Sequence, residues 1–291
     1  MAQTPQPGAA MQPVLRALRL PSFGIGARLA ALILAVIVVL TLLAGWIAPH
    51  DPLSMNPMAR LQGPSQAHPL GTDNFGRDIF SRVLIGGQLS LIIGIATAAV
   101  AVVLGLVIGL IAGFFRTADA IIMRAMDALM AIPSILLAIA LVALNGPSVG
   151  SVIAAITIPE IPRVVRLVRA VILSAREEPY VEAAIALGTS MPKILIRHLV
   201  PNTLAPLIVQ GTYILASAIL TEAILSFLGA GVSTETPTWG NIMAEGRQFF
   251  RIKPELILYP GIALSLCILS INLLGDAARD MLDPRLKKRA G

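Results

Sequence analysis

This sequence is short of cysteine, aromatic residues and charge. Its single cysteine, Cys267, has no partner for an internal disulfide, which excludes a disulfide scaffold, and it lies in an apolar stretch that suits no thiolate metal site. Aromatic residues make up 4% of the 291 residues and charged residues 13%, against about 25% charged in an ordinary soluble domain. That deficit excludes a soluble globular or disordered protein. What is present instead is Ala, Leu, Ile and Val, giving 56% hydrophobic residues and a mean hydropathy of +0.82. The composition is that of helices packed in lipid.

A helix needs about 20 apolar residues to cross the hydrocarbon of a bilayer. Six stretches qualify: Leu29–Ala48, Leu89–Phe115, Ala125–Leu144, Val149–Val171, Leu204–Leu228 and Leu256–Gly275. The fourth is interrupted by Glu160, Pro162, Arg163 and Arg166. Strands of a membrane barrel would be far shorter, so the expected fold is an all-α polytopic membrane protein with six spans. Residues 1–28 read as a disordered, Pro- and Gln-rich tail, 29–275 as the membrane domain, and 276–291 as a basic tail. The first span reads as an uncleaved anchor, since no signal-peptide cleavage pattern accompanies it.

The basic residues orient this arrangement. If the N-terminus is cytoplasmic, sixteen of the 22 Lys and Arg residues fall on the inner side, in the tails, at Arg116 and Arg124, and between Arg163 and Arg197. Six fall outside: Arg60, Arg77, Arg82, Arg247, Arg251 and Lys253. Both termini are therefore expected in the cytoplasm. The same bias accounts for the pI near 10.1 without a nucleic-acid partner, for which no basic stripe interleaved with aromatics is present.

Three polar stretches interrupt the spans: an outer loop at 49–88, a cytoplasmic loop at 172–203 and an outer loop at 229–255. In the first, Asp73 or Asp78 is expected to pair with Arg77 or Arg82 and fold a small cap. The second contains EEPYVEAAIALGTSMPKILIRHLVPN, from Glu177 to Asn202. Pro179 suits the first turn of a helix, with Glu177 and Glu178 beside its positive dipole end. Tyr180, Ala184 and Leu187 are expected on one face, with Val181 and Ile185 alongside. Gly188 is placed to end that helix in a left-handed conformation, and Ser190 to cap a second one holding Ile194, Leu195 and Leu199. On these features alone, two short helices joined by a glycine elbow are either an interfacial pair lying on lipid headgroups or a docking platform for another protein.

Glu182-Ala183-Ala184, Gly188, and Arg197-His198 followed by Pro201-Asn202 resemble the EAA loop of ABC-importer permeases. GTDNFGRDIFSRVLIGGQLSL (71–91), AILSFLGAGVSTETPTWGNIM (223–243) and NLLGDAARDMLDPR (272–285) resemble the dipeptide/oligopeptide/nickel permease subfamily, and within it the dipeptide-permease C type. The resemblance covers about residues 29–285 and favours docking over the interfacial reading. It implies a type I ABC importer fold. It also implies as partners a second, different permease, two ATPase subunits that bind ATP and Mg, and an external substrate-binding protein. In that setting Glu182, Ala183, Ala184, Gly188, His198 and Pro201 would form the ATPase-coupling site, with Glu182 paired to a basic group of the ATPase. Relatives of this type handle di- and oligopeptides, glutathione-like peptides or nickel chelates, and peptide is the expected cargo. The pore carries no clustered His or Cys for direct nickel ligation.

The chain itself is expected to hydrolyse nothing and to bind no cofactor or metal. It has no G-x-x-x-x-G-K-[ST] phosphate loop, no Gly-Lys pair and no H-E-x-x-H. One enzymatic pattern occurs, Gly146-Pro147-Ser148-Val149-Gly150, a formal G-x-S-x-G, but it falls between two helices rather than between a strand and a helix. Ser148→Ala is expected to be silent, and an intramembrane hydrolase is a remote alternative. An ion-coupled secondary transporter is the other alternative; it would need inverted repeats, and no convincing internal repeat is visible.

Charges within spans are functional candidates because burying one costs about 2.5–3.5 kcal/mol on insertion scales. Glu222, toward the outer end of the fifth span, either lines the translocation path and meets a cationic group, or pairs with a partner chain or the headgroup region. Glu160, between Pro159 and Pro162, either lines a cavity at a broken helix or pairs with Arg163 at i,i+3 spacing. Arg124 and Asp127 have the same spacing and are expected to brace the third span. Thr97, Ala101, Gly105, Gly109 and Gly113 form a small-residue stripe for close helix packing, within this chain or across a permease dimer.

Overall fold

The computed structural model describes residues 24–233 and 235–282. Most of the two expected tails lies outside the described residues. Within them, helix α1 begins at Ile25 and takes in Arg28, and the last helix continues to Leu282. Both boundaries therefore extend past the stretches that hydropathy marks, because a helix does not stop where the hydrocarbon does.

The described chain is helical, with one isolated antiparallel bridge, Thr72 to Asp78, and no other strand pairing among the described residues. The helices are α1 (Ile25–Leu42), α2 (Ala44–Ile47), α3 (Ile79–Phe114), α4 (Arg116–Met130), α5 (Ser134–Asn145), α6 (Val149–Ala175), α7 (Pro179–Ala186), α8 (Met191–Ile194), α9 (Val200–Phe227), α10 (Trp239–Gly246) and α11 (Glu255–Leu282). One end of the bundle carries the cap, between α2 and α3. The other carries the loop between α6 and α9.

Among the described residues, four helical stretches are long and apolar enough to cross a membrane: α1, α3, the run from Met191 to Phe227, and α11. The expected third span is not one rod. The helix is interrupted at Ala131-Ile132-Pro133, and α4 and α5 meet at 89°, so they make a fifth span only as a bent pair. Pro133 explains the break, since the residue before a proline is pushed out of the helical region. The expected fourth span, α6, has the length at 27 residues, but Glu160, Arg163, Arg166 and Arg169 interrupt its composition. Length and composition thus account for four spans, or five with the bent pair, against the six expected.

The centre of the bundle is the contact between α3 and α6. Thr97, Ala101, Gly105, Gly109 and Gly113 are all buried on one row of α3. A Cβ added at Gly109 would stand 2.7 Å from Val168 Cβ, and one at Gly113 2.7 Å from Ile172 Cβ; one at Gly105 would collide with Val164. Val164, Val168 and Ile172 repeat every fourth residue, so the bulky row of α6 seats in the bare row of α3. The stripe therefore packs within this chain.

The expected break in α6 is absent. Its helix continues through both Pro159 and Pro162. Helix α4 is tied to it by two ion pairs. Arg169 Nη2 donates to Asp119 Oδ2 at 2.6 Å, and Arg166 Nη2 to Asp127 Oδ1 at 2.6 Å. Asp127 therefore braces across to α6 rather than to Arg124, because α4 packs on α6 and brings Arg166 beside it. Ser148 is the N-cap of α6: its Oγ accepts the Ser151 N–H at 3.1 Å. Its hydroxyl also meets that of Ser151 at 2.8 Å, so it serves helix start rather than nucleophilic chemistry.

Candidate functional site

The loop between α6 and α9 is built around α7. Pro179 occupies its first turn, where a missing N–H costs nothing, and Glu182 sits in the same turn. Val181 is fully buried in the core cluster that holds Val164, Val168, Ile194 and Leu199, and Ala184 is nearly buried beside it. These two residues, three apart, seat the helix on the bundle. The expected face is thereby corrected: Tyr180 is 45% and Leu187 85% exposed, so neither shares the buried side with Ala184.

The side left outward carries Glu182, Ala183, Ile185, Ala186 and Leu187. Gly188 ends the helix at φ +74°, with its N–H donating to the Ile185 carbonyl at 2.9 Å and the Thr189 N–H to the Ala184 carbonyl at 3.0 Å. This is the paired-bond helix stop that a left-handed residue permits. No atom lies within 4 Å of where a Gly188 Cβ would be, so the requirement for glycine there is conformational, not steric.

The second expected helix is shorter than the sequence suggests. Ser190 precedes α8 without a side-chain cap bond, and α8 is only four residues long. Leu195–Leu199 then forms a π-turn in which the Val200 N–H reaches back to the Leu195 carbonyl. Pro201, in the first turn of α9, has no N–H for a normal helical register, which accounts for the widened turn. His198 lies in this turn with its ring 6.1 Å from that of Tyr180. Asn202 Nδ2 donates to Tyr180 Oη at 2.9 Å and to the His198 carbonyl at 2.7 Å, clasping the start of α7 to the start of α9. Asn202 is thus a positioning residue that sequence reasoning saw only as part of a motif. A groove of about 650 Å³ beneath it is lined by Leu167, Ala170, Ser174, Glu178, Tyr180 and Asn202.

Within the bundle, Glu222 is fully buried. Ser226 Oγ donates to its Oε1 at 2.8 Å and Ser90 Oγ to its Oε2 at 3.2 Å. Ser90 Oγ in turn accepts the Trp239 N–H at 3.3 Å. The carboxyl group joins α3 to α9 through the hydroxyls of Ser90 and Ser226, and Ser90 links it on to the start of α10. Glu160 is 6% exposed and accepts two bonds of 3.1 Å from Arg163 Nη1, the i,i+3 pair that the spacing allows, with Ser217 Oγ at 3.4 Å.

At the other end of the bundle, the cap is organised by Asp73. Its Oδ1 accepts the backbone N–H groups of Phe75 (2.8 Å) and Arg77 (2.9 Å), and its Oδ2 receives Arg77 Nε at 2.6 Å and Arg82 Nη1. Glu245 of α10 completes the group, accepting from Arg82 Nη1 at 2.8 Å, from Arg82 Nη2 at 3.2 Å and from Arg77 Nη2. Asp78 takes another role: it caps α3 by accepting the Ser81 N–H at 2.8 Å. Glu245 lies 163 residues beyond Arg82, and no local spacing announces that partnership.

A bundle of membrane helices with a capped end and an exposed glycine-elbow loop at the other is the build of an integral membrane component. The family model for the binding-protein-dependent transport system inner membrane component matches residues 101–288, and that for the N-terminal TM domain of oligopeptide transport permease C matches residues 26–64. The chain belongs to the binding-protein-dependent transport system inner membrane component family. It is 52% identical over 239 residues, 82% of each chain, to a probable peptide ABC transporter permease protein of Sinorhizobium fredii. It is also 40% identical to the dipeptide transport system permease protein DppC of Alkalihalophilus pseudofirmus, over 88% of this chain and 84% of that one. Among solved structures, an inward-facing conformation of the MetNI methionine ABC transporter matches with a TM-score of 0.53 at 20% identity, covering 69% of this chain and 96% of the other, and so shares the fold. Neither the ion-coupled transporter nor the serine hydrolase finds support in the fold, the site or these relatives.

Proposed function

We propose that this chain is one of two different permease subunits of an ATP-driven importer, forming half of the pore through which di- or oligopeptides cross the inner membrane. The observation that carries the reading is the build of the 177–202 loop: α7 is anchored to the spans through Val181 and Ala184 while Glu182, Ala183 and Leu187 face outward. An 85% exposed leucine at a glycine-terminated elbow, beside a carboxylate, suits a protein cleft lined by apolar groups and one base. Two cytoplasmic ATPase subunits would supply that cleft and bind ATP and Mg, and their closure would move α7 as a rigid lever on α6 and α9. An external binding protein would deliver the cargo, and both termini would be cytoplasmic, as the bias of basic residues indicates. The peptide cargo is supported by the names of the relatives.

Gentle affinity purification of the tagged chain from its native membrane tests this. A second permease and ATPase subunits with ATPase activity are expected to accompany it, and the ligand of the associated binding protein identifies the cargo. A homo-oligomer free of ATPase would overturn the reading.

A further inference from the structure

The cap holds a second group of side chains that the transport reading leaves unused. His50, which follows α2, stands against His68 with ring centroids 4.6 Å apart. His68 Nδ1 lies 3.0 Å from Asp78 Oδ1. One ring nitrogen of each histidine and one oxygen of Asp78 lie within 4.8 Å of one another.

These groups sit on a fixed frame. Asp78 Oδ2 is already engaged, accepting from the Ser81 N–H at 2.8 Å and the Ser81 hydroxyl at 2.7 Å, which leaves Oδ1 for the histidines. The same Ser81 Oγ accepts the backbone N–H of His50 at 3.3 Å, so one serine holds both the carboxylate and the chain that carries His50. The His68 carbonyl accepts from the N–H groups of Ser65 and Gly71, each at 2.9 Å, and the His68 N–H donates to Ser65 Oγ at 3.0 Å. The Ser81 bonds orient the Asp78 carboxylate as an outer shell does, and the backbone bonds fix the chain that carries the two imidazoles. Asp78 is buried, His68 half-buried and His50 exposed, which gives a ligand set with one open side.

We propose that His50, His68 and Asp78 form a binding site for a divalent transition-metal ion of the Zn²⁺ class. Two imidazoles and a carboxylate are borderline donors that suit Zn²⁺ and its neighbours and disfavour Mg²⁺ or Ca²⁺, which take oxygen. Ligand atoms around tetrahedral Zn²⁺ stand roughly 3.4 Å apart, and rotation of the exposed His50 ring closes the remaining distance. Water would fill the fourth position. The ion would join the end of α2 to the start of α3 across the 49–78 linker and clamp the cap. This site stands whether or not the transport reading does.

The test is a Zn²⁺ titration of the purified full-length chain, carried on an affinity tag without histidine, with Co²⁺ absorption as a second probe. One Zn²⁺ per chain is expected, with a rise in melting temperature on addition of the ion. His50→Ala and His68→Asn should each weaken binding by at least about tenfold and remove the tetrahedral Co²⁺ bands. His198→Ala, in the loop at the other end, should bind as the wild type does. His50→Ala removes an exposed side chain, so its melting temperature without metal should match the wild type. Absence of saturable Zn²⁺ binding, or equal affinity in His50→Ala and the wild type, would overturn the site.

Discussion

The cap and the 177–202 loop carry charge and apolar surface in opposite ways. In the cap, Asp73, Arg77 and Arg82 are each 3% exposed or less, and each charged group finds its partner within the chain once Glu245 joins. In the loop, Glu182 has no ion-pair partner among the described residues, and Leu187, Ile196 and Ile185 stand 85%, 70% and 48% exposed. The buried charges of the first region are paired within the chain. The second is rigidly placed yet uncovered, as a surface is when its partner belongs to another chain. Polarity alone would not separate them, since both are turn-rich stretches between spans; closure of the hydrogen-bond and ion-pair network does.

Substitutions can break this contrast. The largest effect is expected in the cap. Arg82→Ala leaves Asp73 and Glu245 to share Arg77 alone, and loss of one partner from a buried charge network costs up to about 3–5 kcal/mol. The variant should show a sharply lowered melting temperature in detergent and rapid proteolysis. Next comes the α3–α6 seam: Gly109→Leu drives a side chain into Val168 and should cost about 1–3 kcal/mol or more, read from the same melts. Gly188→Ala meets no neighbour but must hold φ +74°, at about 1–2 kcal/mol, and should lower transport by misaiming α7. Ser148→Ala removes the N-cap of α6 and should cost about 1 kcal/mol of stability with transport unchanged. Glu182→Lys, on the exposed face, should stay within about 0.5 kcal/mol of the wild type while transport is lost.

Much of this was legible in the sequence, and what was not has identifiable causes. Four of the six expected spans follow from hydropathy, and the small-residue stripe at every fourth position of α3 marks close packing before any partner helix is known. Pro179 and Gly188 mark the limits of α7, because first-turn proline and left-handed glycine are local requirements. The buried face of α7 was misassigned because Tyr180 and Leu187 look as apolar as Val181, and only the position of α6 decides which row faces inward. The 89° bend at Ala131-Ile132-Pro133 hides inside a hydropathy window that averages over it. Continuity of α6 through Pro159 and Pro162 depends on surrounding helices, against the local tendency of proline to break a helix. The Glu245 and Asn202 contacts, and the hydroxyl cage of Glu222, join residues distant in sequence and leave no periodic trace.

The account stands or falls on whether the uncovered elbow is a docking surface. The direct measurement compares ATPase-subunit retention by the tagged full-length chain, wild type against Leu187→Asp and Glu182→Lys, with the melting temperature of each taken alongside. The account predicts unchanged melting temperatures and loss of the ATPase subunits from both variants. Wild-type retention in both would contradict it and return α7 to the lipid headgroups.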